Sequence, residues 1–294
     1  MLGLIRWLSR RPLRLLHAWG AALGWLAYGL SPSYRRRLRA NAELAGIAAT
    51  ERRASVAEAG RLVMDLPRLW LRPADQPIAD PVRWEGAEAL EAQLEDLAAK
   101  GRGLVLLTPH LGSFEVAAQA YAERFGRRQP ITVMYRPARK AWLRELEETA
   151  RARPALATAP ASLAGVRMMI RALRRGETVG LLPDQVPPEG QGVWSSFFGR
   201  RAYTMTLAAR LVQQTGASLG VAWCERLPRG EGYVVHVTMQ AEPLPVPSTA
   251  AEPGGDDAAA LAINRSMEAL IRLKPTQYLW GYNRYKNPRQ LEAS

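Results

Sequence analysis

The stretch that most constrains this 294-residue chain is residues 103–115, GLVLLTPHLGSFE. Its first six residues form a continuous apolar run with no polar alternation, the pattern of a strand covered on both faces. Such a strand needs a layer above it and a layer below it, which points to an α/β architecture. The remaining pattern agrees. Short strand-like runs at 82–85, 131–135, 178–182, 219–225 and 233–240 are interleaved with helical periodicity at 87–100, 114–124, 142–151, 164–175, 204–215 and 258–273. The expected fold class is α/β: a largely parallel mixed sheet flanked by helices, with an N-terminal membrane-associating helix. Residues 36–72 also read as helical, interrupted at Pro67, and 243–257 read as a loop.

The N-terminal expectation rests on residues 15–30, LLHAWGAALGWLAYGL, apolar apart from His17. This tract is shorter than the roughly 20 residues a comfortable span needs. Arg6, Arg10, Arg11 and Arg14 precede it, and Arg35, Arg36, Arg37 and Arg39 follow it. Trp7, Trp19, Trp25 and Tyr28 are the amphipathic aromatics that favour bilayer interfaces. A cleaved signal peptide lacks a clear cleavage site here, and equal basic flanks lack the asymmetry of an oriented span. An interfacial or shallowly inserted helix fits length, aromatics and flanks together, with spanning left open and a core helix as the plain alternative. The division expected is 1–40 as the membrane-associating segment and 41–294 as the functional domain.

Charge narrows the partners. Forty Lys+Arg against twenty-seven Asp+Glu give a net charge of +13, which suits nucleic acid, an acidic carrier protein or an anionic membrane face. The single cysteine, Cys224, excludes an intrachain disulfide and sits in an apolar run as a strand thiol.

Three histidines are available for chemistry: His17 in the apolar segment, His236 between Val235 and Val237, and His110. His110 directly follows the buried strand, where open α/β sheets place their ligands. Glu115 stands five residues on, in the first turn of the next helix. A loop at Leu111–Gly112 could swing the imidazole back over that turn, where a carboxylate on one ring nitrogen would leave the other free as a base. Spacing alone serves equally well a lone strand-end histidine beside a first-turn helix charge.

Five segments add a resemblance: TPHLGSFE (108–115), MYRP (134–137), GVRMMIRALRRGETVGLLPDQ (165–185), FFGRRAYT (197–204) and QYLWGYNRYK (277–286). In order and over most of the chain, they resemble the bacterial lipid A biosynthesis (lauroyl/myristoyl) acyltransferases, whose signature is His-x4-Asp/Glu. Glu115 replaces the frequent Asp of that family, and WGYNR replaces its common WxHRR. The resemblance implies an acyltransferase domain that moves an acyl chain from acyl-acyl carrier protein to a hydroxyl of a lipid A precursor. It implies work at the cytoplasmic face of the inner membrane, with no metal or organic cofactor. By position it implies His110 as general base, Glu115 as its orienting partner, and Arg136, Asp184 and Gln185 as substrate-site residues. Asp184 otherwise reads as a turn residue before Pro187 and Pro188, and Trp280 and Arg284 as packing or surface residues.

The rival readings are weaker. GASLG at 216–220 matches G-x-S-x-G with Ser218 as nucleophile, but it follows a helix and precedes a strand, the reverse of a nucleophile elbow. A nucleic-acid-binding protein would explain the charge but not the apolar N-terminus, and no zinc spacing or RNA-binding signature is present. Within acyltransferases, a lysophospholipid or other lipid acceptor is the alternative, although LLPDQ stands where the glycerol-phosphate branch carries an EGTR-type motif.

Overall fold

The computed structural model describes residues 2–73, 76–78, 82–135, 140–151, 153–240, 243–245 and 257–290. The loop reading at 243–257 falls mostly outside them, and Arg136 wholly so. Four helices come first: α1 (Leu2–Ser9), α2 (Leu13–Leu30), α3 (Pro32–Leu44) and α4 (Ala49–Trp70). Then follow β1 (Val82–Glu85), α5 (Ala87–Ala99), β2 (Leu104–Leu107), α6 (Phe114–Phe125), β3 (Ile131–Tyr135) and α7 (Ala141–Arg151). Next are β4 (Leu156–Pro160), α8 (Leu163–Arg174), β5 (Thr178–Leu181), β6 (Gly192–Phe197), β7 (Arg200–Met205) and α9 (Leu207–Thr215). β8 (Ser218–Arg226), β9 (Tyr233–Met239) and α10 (Ala258–Leu273) complete the order.

Seven strands form one sheet in the order β1-β9-β8-β2-β5-β3-β4, with β6 and β7 as a separate hairpin. Every neighbouring pair in the large sheet is parallel except β8–β9. β2 is therefore central, and its side chains divide by parity. Leu104 and Leu106 join a core with Leu90, Leu94, Tyr121 and Phe125 of α5 and α6. Val105 and Leu107 join the opposite core with Met169, Leu173, Leu211, Ile263 and Met267 of α8, α9 and α10. Burial on both faces is the physical reason that the run does not alternate.

Some elements differ from the sequence reading. The helix expected over 36–72 is two, α3 and α4, separated at a turn where Gly46 takes φ +72. Pro67 does not stop α4, which continues to Trp70; the bond from Leu71 N–H to the Pro67 carbonyl closes the last turn. Thr204 belongs to β7, and the helix expected from there begins at Leu207.

The N-terminal helices pack onto this body. α2 buries Leu16, His17, Gly20 and Gly24 against α4, so closely that a Cβ on Gly24 would stand 2.2 Å from the Val56 carbonyl oxygen. Its other side leaves Trp19, Leu23, Trp25, Leu26 and Leu30 exposed, the last at 75%. Among the described residues no helix is long and apolar enough to cross a membrane.

Candidate active site

β2 and β5 are adjacent, parallel and in register, with Leu107 opposite Leu181. Thr108 N–H still donates to the Leu181 carbonyl, at 3.0 Å. Beyond that point Pro109 and Pro183 supply no N–H, so the ladder ends and both chains turn outward. Each proline is followed at once by a candidate site residue: His110 after one strand, Asp184 and Gln185 after the other. The carboxyl ends of two parallel strands thus bring the pair together.

Asp184 grips His110 twice. Its Oδ1 lies 2.8 Å from the imidazole Nδ1, and its Oδ2 accepts the His110 backbone N–H at 3.0 Å. Burial by itself would push the Asp184 carboxyl up. The charge of His110, the two bonds from that residue, and Arg284 outweigh it and hold the carboxyl below its ordinary value. An ionised Asp184 makes Nδ1 the protonated nitrogen and leaves the Nε2 lone pair as the basic one. The Gln185 amide nitrogen sits 3.0 Å from Nε2. Tyr278 is buried beside Asp184; burial, then the carboxylate charge, raise its pKa well above the ordinary value, so it is neutral. The Phe114 ring packs edge-on to the imidazole, with centroids 4.8 Å apart.

The turn after His110 is fixed from behind. Gly112 has φ +61, and a Cβ there would stand 1.9 Å from the Cys224 carbonyl oxygen, so only glycine fits. Gly112 N–H donates to the Gln277 carbonyl at 3.0 Å, Ser113 N–H to the Cys224 carbonyl at 2.8 Å.

His110, Glu115 and Gln185 border a cavity of about 770 Å³, within the usual range for a ligand site. Its walls are largely apolar, among them Leu106, Ile131, Val133 and Leu156, and Arg167 and Arg210 also line it. Both arginines are exposed.

The structure places the two carboxylates differently. The carboxylate on Nδ1 is Asp184, which the sequence allowed only as a turn or substrate-site residue, while Glu115 borders the same cavity from the first turn of α6. Gln185 stands on the cavity beside Nε2 of His110. Trp280 and Arg284 are buried: the guanidinium donates to the Tyr203 carbonyl at 2.6 Å and to Thr204 Oγ1 at 2.8 Å. Ser218 opens β8 with its N–H on the Gly103 carbonyl, behind the amino end of β2 and not on the cavity. Cys224 is fully buried, and burial first of all pushes its thiol far above its ordinary value. It is inert. Among the described residues no cluster of His, Cys, Asp or Glu could hold a metal ion.

The sequence profile of the bacterial lipid A biosynthesis acyltransferases matches residues 1–287. The chain belongs to this family. It is 26% identical over 293 residues to the lipid A biosynthesis lauroyltransferase of Escherichia coli strain K12, covering 97% of this chain and 90% of that one. It is 25% identical over 205 residues to the lipid A biosynthesis palmitoleoyltransferase of the same strain, covering 69% of this chain and 62% of the relative. The lipid A biosynthesis acyltransferase of Shigella flexneri matches to the same extent. The chain is thus an acyl-transferring enzyme.

Proposed function

We propose that the protein moves a fatty acyl group from the thioester of acyl-acyl carrier protein to a hydroxyl of a lipid A precursor, with His110 as general base. The observation that carries this reading is the Asp184–His110–Gln185 arrangement, with His110 and Gln185 on a largely apolar cavity, in a chain of this family. Nε2 takes the proton from the acceptor hydroxyl as its oxygen attacks the thioester carbonyl. The tetrahedral adduct collapses to the ester, and the departing sulfur takes the proton back from Nε2, so acid and base balance over one turnover. Asp184 keeps the tautomer and stabilises the transient imidazolium. Glu115, a second carboxylate on the cavity, adds to that field. The Gln185 amide holds Nε2 until the hydroxyl replaces it. A thioester is already activated, so the scheme forms no covalent enzyme intermediate.

The apolar walls suit an acyl chain. The exposed Arg167 and Arg210 at the cavity suit the phosphates of the acceptor or of the donor's prosthetic arm, and the net charge of +13 suits an acidic carrier. The exposed face of α2, Trp19 to Leu30, lies against the inner membrane on its cytoplasmic side, flanked by the basic runs. The decisive experiment is transfer of acyl groups of defined length by purified enzyme, wild type against His110→Ala, read by mass spectrometry of the acceptor. Wild-type enzyme that esterifies lysophospholipid and not lipid A precursor would replace this acceptor with the alternative one.

A further inference from the structure

A second polar centre lies inside the protein, three residues along the loop from His110. Ser113 is the N-cap of α6 and would ordinarily bond a first-turn N–H; its hydroxyl caps nothing. Instead it donates to Asp65 Oδ2 at 2.6 Å and accepts from Arg226 Nη1 at 2.8 Å. Arg226 Nη1 is 3.1 Å from the same carboxylate oxygen, and its Nε is 3.2 Å from Glu58 Oε2. The other oxygen of Asp65 is 2.7 Å from Nε2 of His17, on α2. Gln277, whose carbonyl accepts from Gly112, pairs with both backbone groups of Arg226. Ser113 and Asp65 are 0% exposed, Arg226 3% and His17 4%.

Burying an arginine, a carboxylate and a histidine is a poor route to stability, since apolar side chains of similar volume serve as well. What such a network supplies is one fixed geometry, and here it fixes the loop that carries the base. We infer that Asp65 and Arg226 are positioning residues for the His110–Ser113 turn, and that His17 makes their grip depend on α2 being docked. The catalytic part rests on the reading of His110 as general base. The physical consequence is a link between the helix whose far face is apolar and exposed and the place where the proton is taken.

The test is steady-state kinetics of the full-length enzyme in lipid–detergent micelles, with Ser113→Ala, His17→Leu, His17→Gln and the Ser113→Ala/His17→Leu double variant. Ser113→Ala is nearly isosteric and is expected to fold; its kcat is expected to fall about 10- to 100-fold with both KM values unchanged, the effect of a misplaced base. His17→Leu is expected to lose about 10-fold in kcat. His17→Gln puts an amide donor near the place of Nε2 and is expected within about twofold of wild type. The double variant is expected no slower than Ser113→Ala, because His17 acts through the network that Ser113 terminates. Additive losses, equal losses for Gln and Leu, or lowered melting temperature with unchanged kcat would each overturn the inference. If His17→Leu does not fold, His17→Asn, whose donor falls short of Asp65, takes its place with the same expectation. His110→Ala separates the two failures. An active His110→Ala sinks the general-base reading, and an inactive one beside additive network losses sinks the positioning alone.

Discussion

Two histidine–aspartate pairs of nearly equal length flank the same loop, and the proposed function gives them different uses. His110 Nδ1 is 2.8 Å from Asp184, and His17 Nε2 is 2.7 Å from Asp65. In both cases burial pushes the carboxyl up first, and the facing charges and hydrogen bonds then bring it below its ordinary value. The difference lies at the far ends. His110 borders a cavity and its second nitrogen meets the Gln185 amide, whereas the carboxylate of His17 is closed off by Ser113 and Arg226. A histidine–carboxylate contact is thus no mark of catalysis. On the proposed function, what marks it is a histidine on the cavity that a substrate can reach.

The largest effect should come from breaking the open pair. His110→Ala is expected to lower the transfer rate about 10²–10⁴-fold in a folded protein. Asp184→Asn, which removes the acceptor that fixes the tautomer, is expected to lose about 10²-fold or more. The double variant should cost little more than His110→Ala, because the two groups act as a unit. Single-turnover rates with pre-bound donor measure all three. Multiplicative losses would mean that Asp184 serves some step other than orienting His110.

Glu115→Ala ranks below these, at about 10- to 100-fold, if its carboxylate acts through the field in the cavity and not through a bond to Nδ1. A loss as deep as that of Asp184→Asn, and non-additive with His110→Ala, would return the orienting role to Glu115. The same kinetic assay decides it.

The closed pair should show itself in stability. Asp65→Asn leaves Arg226 buried with one anionic partner fewer, and is expected to destabilise the fold by about 3 kcal/mol. The pH dependence has a definite sign. Asp65 and Asp184 both have folded pKa values below the ordinary one. Their contribution is complete above the unfolded carboxyl pKa, about 3.9, and is lost as pH falls from there through the folded values. Melting temperature should be level from pH 7 to about pH 5 and drop below about pH 4, less steeply in Asp65→Asn. Equal slopes for variant and wild type would place the acid-labile carboxyls elsewhere.

The sequence made the open site largely readable and the closed one not at all. A continuous apolar run followed by Pro-His marks a buried strand that ends at a candidate site residue, and Pro-Asp-Gln after a later apolar run marks its neighbour. Which strands are neighbours, however, is a property of the sheet order: β2 and β5 are separated by two further strands in sequence and touch in space. For that reason the sequence reading paired His110 with Glu115, close along the chain, while the contact on Nδ1 comes from Asp184. The closed network joins residues 17, 65, 113 and 226 through a helix crossing, and no local period reports such a crossing. Other omissions were matters of turn chemistry. The β6–β7 hairpin turns at Phe198 and Gly199, with φ of +48 and +76, and a phenylalanine there gives none of the Asn-Gly signal of a primed turn. β4 reads LATAP, which is poor in the β-branched and aromatic residues that signal a strand, and it takes the sheet edge, where a proline is tolerated.

His236 provides the control with the smallest expected effect. It too has carboxylate partners, Glu85 at 2.9 Å from Nδ1 and Glu225 at 3.4 Å from Nε2, and its ring stacks on Trp223 with centroids 4.3 Å apart. Yet Glu85 is 69% exposed, so water screens that pair. The other carboxylate is shared with Lys274 at 2.6 Å, which already balances its charge. Neither nitrogen borders the cavity. His236→Gln keeps a polar group and loses mainly the stacking, so transfer should stay within about twofold of wild type, with stability lowered by about 1 kcal/mol or less. Thermal melts and the transfer assay on one preparation give both numbers. A tenfold loss of activity would show that contact with a carboxylate matters even away from the cavity, and the distinction drawn between the open and closed pairs would fail.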